Sequence, residues 1–496
     1  MTTLTLSPAG LRLKVAAGTA LQDVLFEQGV EFPCGGRGRC KGCRVRVLQG
    51  CLEASAEETK VLTAAELAGG WRLACRHSID GDLELELAQW EMPILSDSST
   101  FAFAPQTGLG VAVDLGTTTI AAQLLDLKTG NVLAARTALN AQARHGDDVI
   151  SRVEFAVRGG QTELERLIRE QIGRMIENLL ASMPEQKPAR IVLVGNTVMH
   201  HLFCGIDVTP LATHPFEPEH PGRFRFSPGQ LGWGEKTAVE FMPCIGGLVG
   251  SDILAGIVAT GLNERAGLSA LIDLGTNGEV VVGSRDKLVC TSTAAGPAFE
   301  GARISMGMRA ATGAIDEVRV IDGALRCRVI GGGAPRGLCG SGLVDAVAAG
   351  LDLGWIEAGG RMTPESMPLS GPVALLAADV RELQLAKGAI AAGLRMLATR
   401  RGATPAGIGR LHLAGAFGNY ISRASAQRIG LLRLPVERIV FAGNTALLGA
   451  KRALFEDAAA WDRLASRIEH VALNKEPEFQ DIFAEEMRFP ESTQSS

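Results

Sequence analysis

Four cysteines carry the most legible chemistry in this chain: Cys34, Cys40 and Cys43 fall on one stretch with Gly35, Gly36, Gly38 and Gly42, and Cys75 follows at a distance. Thiols held this close can wrap an inorganic cluster, and four thiolates are what a [2Fe-2S] centre takes. The C-x5-C-x2-C…C spacing differs by one residue from the C-x4-C-x2-C…C arrangement of such centres. The glycines permit left-handed backbone and leave amide N–H groups free to point at the sulfurs. Structural zinc more typically uses two C-x2-C pairs, whereas only Cys40 and Cys43 have that spacing here. Disulfides are not expected in a chain whose first residues lack a secretory signal, and a centre with two histidine ligands finds only His77 nearby. Of the ten cysteines, the other six, Cys51, Cys204, Cys244, Cys290, Cys327 and Cys339, read as small buried hydrophobes.

A second set of residues sits at repeated strand ends. Val111-Ala-Val-Asp-Leu-Gly-Thr-Thr-Thr is echoed by Leu271-Ile-Asp-Leu-Gly-Thr-Asn-Gly-Glu, and Ile191-Val-Leu-Val-Gly-Asn-Thr-Val by Ile439-Val-Phe-Ala-Gly-Asn-Thr-Ala, in the same order. The repetition predicts a duplicated α/β unit. Asp114 and Asp273 at the strand ends can hold Mg²⁺ directly or through water, while the following glycines let amides and hydroxyls approach phosphate oxygens. A single copy could equally be a tight turn; two facing copies could clamp one polyphosphate. No G-x-x-x-x-G-K-[ST] occurs, which argues against a P-loop machine.

The elements that position these groups follow from periodicity. Leu4 to Val15 reads as two strands joined at Pro8-Ala9-Gly10, and Thr19 as the N-cap of a helix over Leu21 to Gln28. After the cysteine loop come a strand at Arg44-Val-Arg-Val-Leu, a helical Ala64-Ala-Glu-Leu and an alternating strand Leu83-Glu-Leu-Glu-Leu. Met92 to Gln106 has Pro93, three serines and Pro105 without a periodic pattern, and reads as a linker. The apolar run Phe241 to Leu262 is interrupted by Asp252 and rich in glycine, so it predicts a buried turn and helix rather than a membrane span. A chain of 496 residues with 46% hydrophobic and 21% charged residues can bury several cores. Its net charge of −5 offers no general attraction for nucleic acid or an anionic membrane, and a cytoplasmic location is expected.

The cysteine spacing resembles the adrenodoxin-like [2Fe-2S] ferredoxins over residues 1 to about 91. Asp114-Leu-Gly-Thr-Thr-Thr and Asp273-Leu-Gly-Thr-Asn-Gly resemble the two phosphate motifs of the actin, sugar kinase and Hsp70 ATPase superfamily, and Leu413-Ala-Gly-Ala-Phe-Gly-Asn resembles its adenosine motif. The fusion of the two is similar to the reductive activators of corrinoid-dependent enzymes, as are Gly146-Asp-Asp-Val-Ile-Ser-Arg, Ala295-Gly-Pro-Ala-Phe-Glu-Gly and Leu338-Cys-Gly-Ser-Gly-Leu-Val-Asp. The resemblance implies an α+β β-grasp ferredoxin domain (1–91), a linker (92–107), two lobes of an actin-like, ribonuclease H-like α/β ATPase (108–262 and 263–473) and a C-terminal tail (474–496). It implies catalytic Asp114 and Asp273, with Gly116, Thr117, Thr118, Gly275, Thr276, Asn277, Gly278, Gly415, Ala416 and Gly418 around ATP and Mg²⁺. On the same analogy Gly195-Asn-Thr and Gly443-Asn-Thr begin the helices on which the lobes hinge. The implied activity is ATP-dependent reduction of a Co(II) corrinoid protein to Co(I) for a methyltransferase system, fed by an upstream electron donor; a homodimer is left open.

Such an activity has a free-energy rationale. A cluster near roughly −400 mV that must drive one electron uphill by roughly 200 mV faces about 4.6 kcal/mol, which nucleotide-driven switching between two states can match. A small-molecule kinase with a fused ferredoxin, or a redox-sensing regulator, would use the same cleft. Other polar residues admit two readings each. His200-His201 could face a partner or simply pack, Asp147 and Asp148 could orient water or cap a helix, and Glu279 and Glu300 are further water-positioning candidates.

Overall fold

Period-two alternation builds the first sheet from Thr2–Ser7 (β1), Leu11–Val15 (β2), Arg44–Gln49 (β3), Trp71–Leu73 (β4) and Leu83–Leu87 (β5). Its order is β2-β1-β5-β3-β4, with the first and last strands parallel and the other pairs antiparallel. The helix Leu21–Glu27 (α1) lays Leu21, Leu25 and Phe26 on this sheet, completing the expected β-grasp. The structure is a computed structural model of the chain and describes residues 1–491 except 8–10, 29, 31–35, 37, 39–40, 42, 88–100, 147, 182, 184, 234–236, 276, 416 and 419. Thr19 does not cap α1. It lies in a two-residue strand, its hydroxyl donating to the Ala16 carbonyl at 2.8 Å, and Ala20 holds the cap position without a side-chain bond. The Ala64–Ala68 helix (α2) does have a side-chain cap, a reciprocal box between Thr63 and Glu66.

Two six-stranded sheets follow. The first takes Leu109–Leu115 (β6), Thr119–Asp126 (β7), Val132–Leu139 (β8), Pro188–Gly195 (β9), Phe224–Phe226 (β10) and Val239–Phe241 (β11) in the order β8-β7-β6-β9-β11-β10. The second takes Ser269–Leu274 (β12), Gly278–Ser284 (β13), Lys287–Thr293 (β14), Arg410–Ala414 (β15), Ile439–Gly443 (β16) and Ile468–His470 (β17) in the order β16-β15-β12-β13-β14-β17. In each lobe the first three strands form an antiparallel meander, and two later strands run parallel to the first, β9 and β11 in one lobe and β15 and β16 in the other. The shared topology supports the duplication.

It also corrects the alignment of the halves. Gly195-Asn-Thr ends the fourth strand of the first lobe, whereas Gly443-Asn-Thr ends the fifth strand of the second. By topology the end of β9 at Gly195 corresponds to the end of β15 at Ala414, and Asn444, at the cap of the helix after β16, corresponds to Gly250, at the cap of the helix after β11. Both Gly-Asn-Thr phrases arise because a helix starts there and Asn caps it: Asn196 Oδ1 accepts from Met199 N at 3.0 Å and Asn444 Oδ1 from Leu447 N at 2.8 Å. The resemblance is one of capping chemistry rather than of place.

Among the helices, Val149–Phe155 (α3), Gln161–Leu180 (α4) and Thr197–Cys204 (α5) cover the first lobe, and Gly340–Asp352 (α7), Ala377–Arg400 (α8) and Phe479–Met487 (α10) the second. Ser251–Thr260 (α6) and Thr445–Ala453 (α9) lie between the lobes and share one apolar cluster with Val192 and Val194 of one sheet and Leu271 and Val281 of the other. These two helices, not α5, connect the lobes. Their contact requires glycine, since a Cβ on Gly449 would stand 2.3 Å from the Ala255 carbonyl oxygen. The run Phe241 to Leu262 is the expected buried turn and helix, and no described helix is long and apolar enough to cross a membrane. Of the stretch 474–496, expected as a tail, the described residues 474–491 are built into the second lobe: α10 packs on α8, and Phe489 is buried in that lobe's core. Of the expected linker, 92–100 lies outside the described residues. Phe101 and Phe103 pack on Phe455, and the Gln106 N–H donates to the Leu127 carbonyl at 2.9 Å.

Candidate functional site

The duplicated strands deliver carboxylates to one cleft. In β6 and β12 every residue is buried except the aspartate near the end, Asp114 or Asp273, which is open only in part. Hydrogen-bond register sets Glu279 of β13 directly opposite Asp273, and α6 begins with Ser251-Asp252 beside the end of β9, where the Ser251 hydroxyl donates to the Gly195 carbonyl at 3.1 Å. Burial pushes the Asp114 carboxyl up to about 6, although the Asn444 Nδ2, donating to Asp114 Oδ2 at 2.9 Å, holds it down. Burial and then the Asp114 charge push Asp273 up to about 7. Asp252 is raised by burial, then Asp273 and Asp114; Glu279 by burial, then Asp252 and Asp273. Four acids that disfavour one another's ionisation make a site that a cation relieves. Oxygen-only donors suit Mg²⁺, which usually takes one or two carboxylates and completes its shell with water and phosphate. Among the described residues no three His, Cys, Asp or Glu side chains are grouped so as to hold a metal ion by themselves.

The surrounding glycines are places where backbone must come close. A Cβ on Gly415, whose φ is +87°, would stand 2.6 Å from Asp273 Oδ1, one on Gly116 2.5 Å from the Thr119 carbonyl, and one on Gly418 2.4 Å from the Ala414 carbonyl. Gly278 approaches Ile390 of α8 and Gly275 only Asn277. Thr117 Oγ1 accepts from Asn196 Nδ2 at 2.8 Å, while Thr118 and Asn277 sit in the two turns. Thr276 and Ala416 lie outside the described residues. Phe417 stacks on Phe299 at 4.9 Å, bringing the 413–419, 295–301 and 338–345 phrases together.

The second site is in the N-terminal domain. Cys34 and Cys40 lie outside the described residues; Cys43 and Cys75 Sγ stand 3.5 Å apart and are not joined by a disulfide. That is far beyond a disulfide bond of about 2.05 Å and close to the roughly 3.8 Å between two thiolates on one tetrahedral metal at bonds of about 2.3 Å. The pair therefore fits a metal-bound role. Gly36 and Gly38 take the left-handed conformation expected for the loop. Glu58, fully buried, grips the chain on either side of Cys75: it accepts from Leu73 N at 2.6 Å and meets His77 Nε2 at 2.9 Å, with a third bond from Ser55 N. Burial opposes ionisation of Glu58, yet these bonds hold its carboxyl below the usual range. Ala74 N donates to the Cys43 carbonyl at 3.0 Å, tying the segments of Cys43 and Cys75 together.

Sequence reasoning missed Asp252 as a member of the cleft and Glu58 as a brace; the first was visible only as a charge in an apolar run, the second not at all. Other expectations resolve toward packing. His200 and His201 are fully buried, burial pushing them down to about 3 and about 4, with His201 Nδ1 2.9 Å from the Thr197 carbonyl. Asp148 caps α3, accepting from Ser151 N at 2.7 Å, and Asp147 lies outside the described residues. Glu300 ends a short 3₁₀ turn. Cys204, Cys244, Cys290 and Cys339 are buried as expected, but Cys51 is exposed and Cys327 half-buried.

Residues 4–79 match the 2Fe-2S iron-sulfur cluster binding domain, 109–265 the RACo middle region, and 267–496 the C-terminal domain of RACo, the ASKHA domain. The chain is 34% identical over 414 residues to the corrinoid activation enzyme RamQ of Eubacterium limosum, covering 75% of this chain and 69% of that protein. It is 27% identical over 420 residues to the [Co(II) methylated amine-specific corrinoid protein] reductase of Methanosarcina barkeri, covering 77% of each. Among solved structures, a reductive activator for corrinoid, iron-sulfur protein superposes with a TM-score of 0.68 at 27% identity, covering 99% of both chains.

Proposed function

The chain belongs to the RACo family of corrinoid activators, and from that premise we propose that it returns the Co(II) corrinoid protein of a methyltransferase system to Co(I). It is an oxidoreductase of corrinoid activation with an iron–sulfur domain and an ATP-binding ASKHA domain. Cys34, Cys40, Cys43 and Cys75 hold the [2Fe-2S] cluster, which supplies a one-electron centre of low potential when bound. Asp114 and Asp273 face Mg·ATP from the two lobes, with the turns 116–118 and 275–278 along the phosphates and Gly415 and Gly418 toward the adenosine. Asp252 and Glu279 orient the attacking water or the ion's own waters. Residues 1–91, 108–262 and 263–491 act as electron carrier and two lobes, a donor protein feeds the carrier, and the site of action is the cytoplasm. A homodimer is compatible with this arrangement.

The observation that carries the reading is the four-carboxylate cleft built on the duplicated strand ends Asp114 and Asp273, in a chain whose other domain brings the Cys43 and Cys75 sulfurs to 3.5 Å. The test is anaerobic spectroscopy of a Co(II) corrinoid protein mixed with the cluster-loaded protein, reductant and Mg·ATP. Co(I) absorption that grows with ATP supports the reading. ATP turnover that instead requires a phosphate-accepting small molecule, or that responds to cluster redox state while no electron reaches cobalt, would replace it with the kinase or the regulator.

A further inference from the structure

The phosphate turn and the iron–sulfur domain meet through one short segment, 139–144. Successive side chains of a strand take opposite faces: at the end of β8, Ala138 packs into the first lobe's core, while Leu139 joins the core of the N-terminal domain, followed by Ala141 and, at its margin, Ala143 and Leu167 of α4. Between them Asn140 is fully buried and bonds the other way. Its backbone N–H donates to the Thr118 carbonyl at 2.8 Å and its Nδ2 to the Gly116 carbonyl at 2.9 Å, while its Oδ1 accepts from Gln142 N at 3.0 Å. Arg152 of α3 completes the hold, donating to the Thr117 carbonyl and, through Nε, to the Gly146 carbonyl at 2.9 Å. All three carbonyls of 116–118 are thus bound by Asn140 or Arg152. At the far end of the segment, Arg144 lies over the Phe26 ring at 5.0 Å and 3.9 Å from Asp23, both on α1, the helix that leads into the cysteine loop. Gln171 fixes the segment's backbone by accepting from Ala141 N at 2.7 Å and donating to the Leu139 carbonyl.

We propose that 139–144 couples nucleotide occupancy to docking of the iron–sulfur domain, with Asn140 as the positioning residue that links the two contacts. The proposal rests on the reading of 116–118 as a nucleotide turn. A ligand that shifts those carbonyls displaces Asn140, whose two chain neighbours are docking residues. The docking face is readily biased, since its Arg144–Asp23 pair is partly exposed, and exposed pairs contribute little.

Hydrogen exchange on the intact, cluster-loaded protein with and without Mg²⁺ and a non-hydrolysable ATP analogue tests this. In the unaltered protein the analogue should slow exchange around 116–118 and change exchange at 21–27 by about fivefold or more, the lower end of ordinary coupling. Asn140→Ser should keep the first effect and lose the second, which a purely structural role would not produce. By reciprocity Arg144→Ala, outside the cleft, should change the analogue's Kd by a measurable factor no larger than that seen at 21–27, and should leave it unchanged in the Asn140→Ser background. That arm also decides the matter if Asn140→Ser fails to fold, because Arg144→Ala without effect on Kd overturns the coupling. Protection at 116–118 with no change at 21–27, or both effects intact in Asn140→Ser, likewise overturns it. Absence of protection at 116–118 in the unaltered protein overturns the nucleotide reading and the proposal with it.

Discussion

Replacing Asp114 by Asn should stabilise the nucleotide-free protein while abolishing hydrolysis. Burial raises the Asp114 carboxyl from an ordinary 3.8 to about 6 in the folded chain. A carboxyl so raised is a stabilising group only while protonated: its contribution is complete below 3.8 and lost as pH rises through 6. A rise of about two units, at about 1.36 kcal/mol each, makes the ionised form cost up to about 3 kcal/mol at pH 8. Asparagine removes that cost, keeps an oxygen for the Asn444 amide and relieves Asp273, whose own rise includes the Asp114 charge. Calorimetric scans of both proteins without nucleotide at pH 5 and pH 8 should show the variant gaining about 1–3 kcal/mol at the higher pH and much less at the lower. Adding Mg²⁺ and a non-hydrolysable ATP analogue at pH 8 should raise the transition of the unaltered protein and leave the variant nearly unmoved. A variant less stable than the parent at pH 8, or a gap independent of pH, would refute the electrostatic account of the cleft.

In the N-terminal domain, Cys75→Ser should lose or severely destabilise cluster iron and visible absorbance while the exposed Cys51→Ser keeps both; full iron in Cys75→Ala would show that another residue is the fourth ligand. Glu58→Ala should shorten the lifetime of bound iron without touching a ligand, because it strands a buried Leu73 N–H and frees His77, a loss of about 1–3 kcal/mol for the unpaired donor; unchanged iron release under chelator would count against the brace. Cutting the chain between 91 and 107 should give a reducible N-terminal piece and an ATP-binding remainder that together reduce the corrinoid protein poorly, since the tether supplies effective concentration; equal rates with the cut pieces would remove the tether's role.

The parts of this architecture legible in the sequence are those written in short local codes. Thiol spacing, the Asp-Leu-Gly-Thr phrases and period-two alternation gave the two domain types and the duplication, because each is fixed by backbone geometry within a few residues. What escaped depends on topology. Gly-Asn-Thr recurs in equivalent-looking places since Asn is a good helix cap wherever a strand feeds a helix, so the local code was real while the inferred correspondence of strands was not. Asp252 reaches the cleft only because α6 starts beside the end of β9, and Glu58 acts on Leu73 and His77 across separations that no periodicity records. Thr19 failed as a cap because pairing with Ile79 drew it into a strand, leaving Ala20 at the helix start.

The same cleft bears on why an electron carrier is fused to an ATPase. Without a cation the folded chain holds four acids at a net electrostatic cost, and for Asp114 alone that cost reaches about 3 kcal/mol at neutral to alkaline pH. Two such carboxylates relieved together are of the order of the roughly 4.6 kcal/mol needed to move an electron uphill by roughly 200 mV. The comparison matters because a ligand can shift a conformational equilibrium only by its differential affinity for the two states. Asn444, at the start of an interlobe helix, donates to Asp114 on the opposite lobe, so ionisation of that carboxylate is itself a function of lobe closure. A nucleotide that brings its own cation would favour the charged, closed cleft over the protonated, open one. Corrinoid reduction should therefore depend on ATP most steeply between pH 6 and 8, where Asp114 and Asp273, at about 6 and about 7, exchange their protons for the cation. Titrating initial rates of Co(I) formation against pH, at saturating and at zero ATP, measures this. An ATP requirement that stays flat across that range would mean that the carboxylates are ionised in both states and that the driving force for closure comes from elsewhere in the cleft.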